Sequence, residues 1–101
     1  MWLFALFDLP VVTKENRREY TQFRKILLRE GFVMLQYSVY ARHGASEESI
    51  DAVRGRVRHA IPPHGQVRLL PVTDHQFGKM EVYFGKKRER AEPPPVQYQL
   101  F

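Results

Sequence analysis

With 101 residues the chain is long enough for one two-layer core and too short for two. It carries 16 Lys and Arg against 11 Asp and Glu, a net charge of +5 that draws it to polyanions, and its lack of cysteine excludes thiol catalysis, disulfides and thiolate metal sites. Hydrophobic content of 44% marks a folded domain, while no segment reaches the ~18 apolar residues of a membrane span and the opening run lacks the basic flank of a signal peptide, so a cytoplasmic protein with no membrane partner is expected.

The opening segment MWLFALFDLP is a short apolar run that ends on a carboxylate. Met1 to Phe7 fit a strand buried on both faces, and Pro10 turns the chain out of the sheet, which leaves Asp8 at an edge. A lone charge beside so much apolar surface calls for water, a donor or a metal. Taken by itself, Asp8 also suits a cap or turn. Thr13 then caps a helix running to about Glu30, with Asn16, Tyr20, Phe23 and Leu27 as its inward stripe and Gly31 as its stop.

Phe32 to Arg42, FVMLQYSVYAR, is rich in aromatic and β-branched residues and is strand. Two short strands reversing near Gln36 and Tyr37, or one long strand with a bulge, satisfy it equally, because the Asn-Gly type of turn is missing. Ser46 caps a second helix with Glu47 and Glu48 in its first turn and Ile50, Val53, Val57 and Ala60 inward; Pro62 and Pro63 end it. Gln66 to Thr73 is the next strand, Thr73 opens a short turn over Asp74 to Gly78, and Lys79 to Gly85 is a further strand. This order, β-α-β(β)-α-β-β, predicts an α+β fold with two helices on one face of an antiparallel sheet, the ferredoxin-like βαββαβ arrangement, over residues 1–85.

Residues 86–101 differ in character. Lys86 to Arg90, KKRER, is a solvated charge run, and Pro93 to Pro95 is a stiff spacer. Val96 to Phe101 alternates apolar and polar residues and is expected to add as a C-terminal strand to a sheet edge, that of a second copy; the alternative is a frayed terminus.

At about 100° per residue, Lys14, Arg18, Lys25 and Arg29 fall within roughly 60° of one another on the first helix, opposite its apolar stripe. Arg17 and Arg24 flank that face on one side, and Glu15, Glu19 and Glu30 on the other. Solvated helices place acid four residues from base, whereas Lys14 with Arg18 and Lys25 with Arg29 are like-charge pairs, each costing a few tenths of a kcal/mol that a phosphate backbone reverses. The six basic residues are therefore expected to contact nucleic acid through its phosphates. His43, His59, His64 and His75 lack ligand spacing and are expected to be ordinary surface or loop residues.

FDLP near the start, FRKILLREGF at the first helix end, LQYSVYAR after it and LLPVTDHQF before the last strand together resemble the CRISPR-associated protein two family, most closely its type II-like members. This is the small adaptation protein that accompanies the CRISPR integrase. The resemblance covers most of residues 1–84, and its specific part is LQYSVYAR followed by VTDHQF. It implies a ferredoxin-like protomer, a symmetric homodimer and a last strand that crosses to the neighbouring subunit. It also implies that Asp8 binds a divalent cation, Mg²⁺, at the dimer axis. Family members are described both as metal-dependent endoribonucleases or deoxyribonucleases and as non-catalytic bridges that hold incoming duplex DNA between integrase dimers.

One Asp per chain cannot build the paired-carboxylate site of most metal nucleases, but a two-fold axis supplies a second copy. Two Asp8 side chains would share one hard cation that keeps several waters. Ser38 is the hydroxyl expected nearest to Asp8, as a phosphate or water contact and second catalytic candidate, and it is equally an ordinary strand serine. Three functions follow as expectations: a Mg²⁺-dependent phosphodiesterase acting on single-stranded RNA or DNA, a scaffold that binds duplex DNA and docks the integrase, and a toxin-like messenger-RNA ribonuclease of related fold.

Overall fold

The computed structural model describes residues 1–94. β1 (Trp2–Asp8) is followed by α1 (Lys14–Arg29), β2 (Val33–Gln36), β3 (Val39–His43), α2 (Glu47–His59), β4 (Gln66–Val72), the short α3 (Asp74–Gly78), β5 (Val82–Phe84) and β6 (Lys87–Glu89). Four strands form an antiparallel sheet in the order β2-β3-β1-β4, and β5 and β6 form a separate pair. The expected ferredoxin-like arrangement is present, with β1 hydrogen-bonded on both sides. The predicted strand from Val96 to Phe101, with Pro95, lies outside the described residues.

The helix boundaries follow from their caps. Thr13 and Asn16 form a reciprocal capping pair at α1, and Ser46 with Ser49 and Thr73 with Gln76 do the same at α2 and α3. Alternation along β1 sends Leu3, Ala5 and Phe7, with Leu9 beyond the strand, toward the helices, where they pack on Phe23 and Leu27 of α1 and Ile50, Val53 and Val57 of α2. Burying each such aliphatic side chain contributes about 1.5–3 kcal/mol. The opposite row, Trp2, Phe4, Leu6 and Asp8, faces away from the two long helices.

Among the described residues, α3 and the segments after it cover the Trp2 end of that second face. α3 lays Phe77 flat on Trp2, ring centroids 4.0 Å apart and planes 8° from parallel. Further along, Phe4, Leu6, Leu35, Val39, Met80 and Val82 line an open groove of about 280 Å³.

Between Phe32 and Arg42 both devices weighed from the sequence occur together. The chain reverses at Tyr37 and Ser38, since Gln36 pairs with Val39, and the register of β2 on β3 also slips between Met34 and Gln36. Ser38 has φ of 63°, a value that favours glycine or asparagine, so the turn carries no composition signal.

Two expectations are corrected. The strand predicted over Lys79 to Gly85 is confined to Val82–Phe84, because the amides of Lys79 and Met80 still bond back to Gln76 and Phe77 at the end of α3. The charge run Lys86 to Arg90 is exposed as expected, but it contributes β6, with Tyr83 opposite Arg88 and Phe84 opposite Lys87. Gly85, with φ of 62°, occupies the first of two turn residues, where a hairpin turn demands a positive φ.

The helix layer is tied together at the end of α1. Arg56 Nε of α2 donates to both carboxylate oxygens of Glu30, at 3.0 and 2.9 Å, while Arg42 Nε of β3 donates to the Glu30 carbonyl. The Arg56 bond holds the Glu30 carboxyl below its ordinary range, against the opposing effect of burial. A folded-state pKa lowered in this way stabilises the fold above the unfolded value of about 4.3, and that stabilisation is lost as pH falls through the folded value. Glu30→Gln is therefore expected to lower the urea midpoint at neutral pH, with the gap from wild type closing below about pH 4. A gap that stays constant with pH would show that the charge of Glu30 plays no part.

Candidate metal centre and nucleic-acid interface

Asp8 is the last residue of β1 and stands opposite Gln66 of β4. It is exposed, and the strand's alternation puts it in the same row as Trp2, Phe4 and Leu6, on the face left open by α1 and α2. Its backbone is held from both sides. The Phe7 amide donates to the Ser38 carbonyl at 3.1 Å, which carries the β1–β3 pairing past the end of β3. On the other side Gly65, with φ of 93°, lies against Asp8, and a Cβ there would fall 2.7 Å from the Asp8 carbonyl oxygen. Only glycine permits that approach.

The carboxylate itself stands alone. Among the described residues no group of three or more His, Cys, Asp or Glu is arranged to hold a metal. An exposed carboxylate is a suitable donor for a hard cation such as Mg²⁺, which takes one or two protein oxygens and completes its shell with water. Within one chain Asp8 supplies one such donor, so a paired-carboxylate site requires a second copy.

Ser38 lies beside this end of β1, in the turn rather than within a strand, and is half-buried. Tyr20 of α1 packs on Phe7, with ring centroids 6.0 Å apart. Burial, and then the neighbouring Tyr37 side chain, raise the Tyr20 pKa, with Ser38 acting in the opposite sense.

The six basic residues of α1 divide into two groups. Lys14, Arg18, Lys25 and Arg29 are exposed, and none of the ion pairs among the described residues involves them. Arg17 instead donates through Nη1 to the carbonyls of Val11 at 3.3 Å and Val12 at 3.0 Å, fastening the loop after Asp8 onto the helix. Arg24 donates through Nε to the Tyr40 hydroxyl at 2.9 Å. Both belong to the basic face in sequence, yet each spends donors on the protein itself. The free row is thus narrower than the six-residue face expected from helical spacing.

The role of Gly65 escaped the sequence reading. Its glycine suggests a turn before β4, but nothing in PPHGQ reveals contact with Asp8. The VTDHQF segment acquires a structural meaning. Thr73 caps α3, Phe77 covers Trp2, and Asp74 accepts from His43 Nε2 at 3.1 Å and pairs with the Met1 ammonium. His43 is therefore more than an ordinary surface residue, since it also meets the edge of the Trp2 ring at 5.1 Å.

No helix among the described residues is long and apolar enough to cross a membrane. The family model for CRISPR associated protein Cas2 matches residues 1–80. A protein of Parvibaculum lavamentivorans named CRISPR-associated endoribonuclease Cas2 is 50% identical over 101 residues, spanning the whole of both chains. A Flavobacterium psychrophilum protein of the same name is 41% identical over all of this chain and 88% of its own. Among solved structures, the crystal structure of Streptococcus pyogenes Cas2 at pH 6.5 superposes with a TM-score of 0.63 at 15% identity, over 83% of this chain and all of that one, a likeness of fold. Sequence and fold together place this chain in the CRISPR-associated Cas2 family.

Proposed function

We propose that the chain acts as a homodimer joined through the open face of its sheet, and that it is a Mg²⁺-dependent endoribonuclease whose metal is held by Asp8 of both copies. The observation that carries this reading is the position of Asp8, exposed at the end of the apolar row Trp2, Phe4 and Leu6 on the face the long helices leave bare. Leu70 of β4 and Val33 of β2, 49% and 52% exposed, extend the apolar surface that a second copy would cover. A two-fold interface there pairs each residue near the axis with its own copy. Relatives with full-length similarity are named as endoribonucleases, which supports the choice of reaction.

When bound, the cation would supply charge stabilisation for the phosphate and a water of lowered pKa. Asp8 holds and orients that site, Gly65 and the Ser38 carbonyl fix its backbone, and the Ser38 hydroxyl is offered as a phosphate or water contact. Lys14, Arg18, Lys25 and Arg29 bind the sugar-phosphate backbone, with Arg17 and Arg24 supporting their helix. The same basic row, present twice in a dimer, suits duplex DNA, and in this reading the protein serves spacer acquisition beside the CRISPR integrase.

Asp8→Asn is expected to lower Mg²⁺-dependent cleavage of labelled single-stranded RNA by at least about 10²-fold. Sedimentation and RNA binding should be unchanged. Cleavage at the wild-type rate would overturn the assignment. For the basic row, Arg18→Ala combined with Arg29→Ala is expected to weaken binding to every sequence and to flatten the plot of log affinity against log salt. The loss is about 0.9 in slope per duplex phosphate contact removed. An unchanged slope would remove this face from the interface.

A further inference from the structure

β4 brings a base to the same end of the sheet as Asp8. In the β1–β4 register Asp8 stands opposite Gln66 and Leu6 opposite Arg68, so these four side chains share one face. The residues between them identify that face. Val67 and Leu69 pack against the helix-side core, whereas Val72, in the same row as Gln66, Arg68 and Leu70, packs with the Trp2 cluster. Apart from Asp8, Gln66 and Arg68, the row on these two strands is apolar: Trp2, Phe4, Leu6, Leu70 and Val72. Residues directly opposite on antiparallel strands have Cβ atoms about 5 Å apart and diagonal ones about 7–8 Å, so a side chain as long as that of Arg68 commands the space in front of Asp8. Acid and base nevertheless do not pair, since none of the ion pairs among the described residues involves either. Arg68 donates instead through Nε to Oε1 of Gln66, at 3.2 Å. Both residues are exposed, and the terminal nitrogens of Arg68 bond to nothing among the described residues.

We propose that Arg68, oriented by Gln66, is the phosphate-contacting residue of the Asp8 site, its two terminal nitrogens gripping non-bridging oxygens of the RNA phosphate that is cut there. The proposal rests on the reading of Asp8 as the metal-holding group. A guanidinium paired with Asp8 would occupy the carboxylate oxygens that a cation needs. Gln66 prevents this by engaging Nε through a neutral oxygen, which leaves the outer N–H groups as a fork suited to a phosphate. Arg68 stays protonated and transfers no proton. It supplies fixed positive charge and N–H donors where negative charge accumulates during hydrolysis. The exposed cations of α1 have a different task, since they follow the sugar-phosphate backbone on the other side of the molecule.

Arg68 is exposed, so its replacement leaves the core intact. In the full-length protein Arg68→Ala is expected to lower kcat for Mg²⁺-dependent cleavage of single-stranded RNA by about 10²-fold, with the Mg²⁺ concentration for half-maximal activity unchanged. Arg68→Lys keeps the charge and loses the fork, and should fall between Arg68→Ala and wild type. Added guanidinium ion, at concentrations that leave the fold intact, should restore part of the activity of Arg68→Ala and none of that of Asp8→Asn. In EDTA, where no cleavage occurs, Arg68→Ala should reduce the slope of log affinity against log salt for the same RNA by about 0.7, the share of one phosphate contact on a single strand. Gln66→Ala is expected to lower kcat by about three- to tenfold and to add little to Arg68→Ala, because Gln66 acts through that arginine. Cleavage by Arg68→Ala at the wild-type rate overturns the proposal. Loss of the dimer in sedimentation, with the remaining dimer cutting at the wild-type rate, does so too, because it makes Arg68 an interface residue. Asp8→Asn separates the two assignments. If it cuts at the wild-type rate, the metal reading fails and takes the role of Arg68 with it. If it is inactive while Arg68→Ala is unimpaired, the role of Arg68 alone is wrong.

Discussion

The period-two alternation of β1, paired on both sides within the sheet, is the constraint on which the rest of the protein depends. Residues 3, 5 and 7 must enter the helix layer if Leu3, Ala5 and Phe7 are to be buried, and this forces residues 2, 4, 6 and 8 to the other side. Asp8 therefore reaches its position as the eighth residue of a strand whose seventh is locked in the core. A shift of one residue would bury the carboxylate under α1 and put Phe7 in water. The core specifies the site because a single strand belongs to both.

That coupling explains how much could be read before the structure. Thr13 and Ser46 announced their helices through capping chemistry, and the Phe23, Leu27 and Ile50, Val53, Val57 stripes gave the buried faces, because these signals are local and repeat along the chain. The antiparallel sheet with both helices on one face followed from element order alone. The reversal at Tyr37 and Ser38 was ambiguous because its backbone is imposed by tertiary contacts and not by a turn-favouring residue. β6 was hidden for a different reason. Its side chains are all exposed, so no buried stripe distinguishes Lys87–Glu89 from a solvated run, and Gly85 was its one signal.

At the site, legibility divides along the same line. Asp8 could be found because a charge ending an apolar run is anomalous in sequence. Gly65 could not, since its importance is a distance to another strand. Arg17 and Arg24 show the converse error. Angular position on a helix places a guanidinium on a face but does not say what it bonds, and here carbonyls after β1 and a tyrosine hydroxyl on β3 claim two of the six. Arg17 ties the basic helix to the loop after Asp8 and Arg24 ties it to β3, so the surface suited to a phosphate chain is joined directly to the surroundings of the acid.

Among the described residues the two border strands of the sheet, β2 and β4, differ in a way that bears on assembly. β2 offers four residues interrupted by a register slip, a poor template for another backbone, whereas β4 offers seven in continuous register, with Pro71 withholding one donor near its end. Head-to-tail growth into a fibril needs both borders to be competent, because each added copy must receive on one and present the other. With one border spoiled by its own bulge, strand addition is limited to a single acceptor side per molecule. The slip thus works against filament growth by strand addition, a safeguard encoded by one extra residue at Leu35.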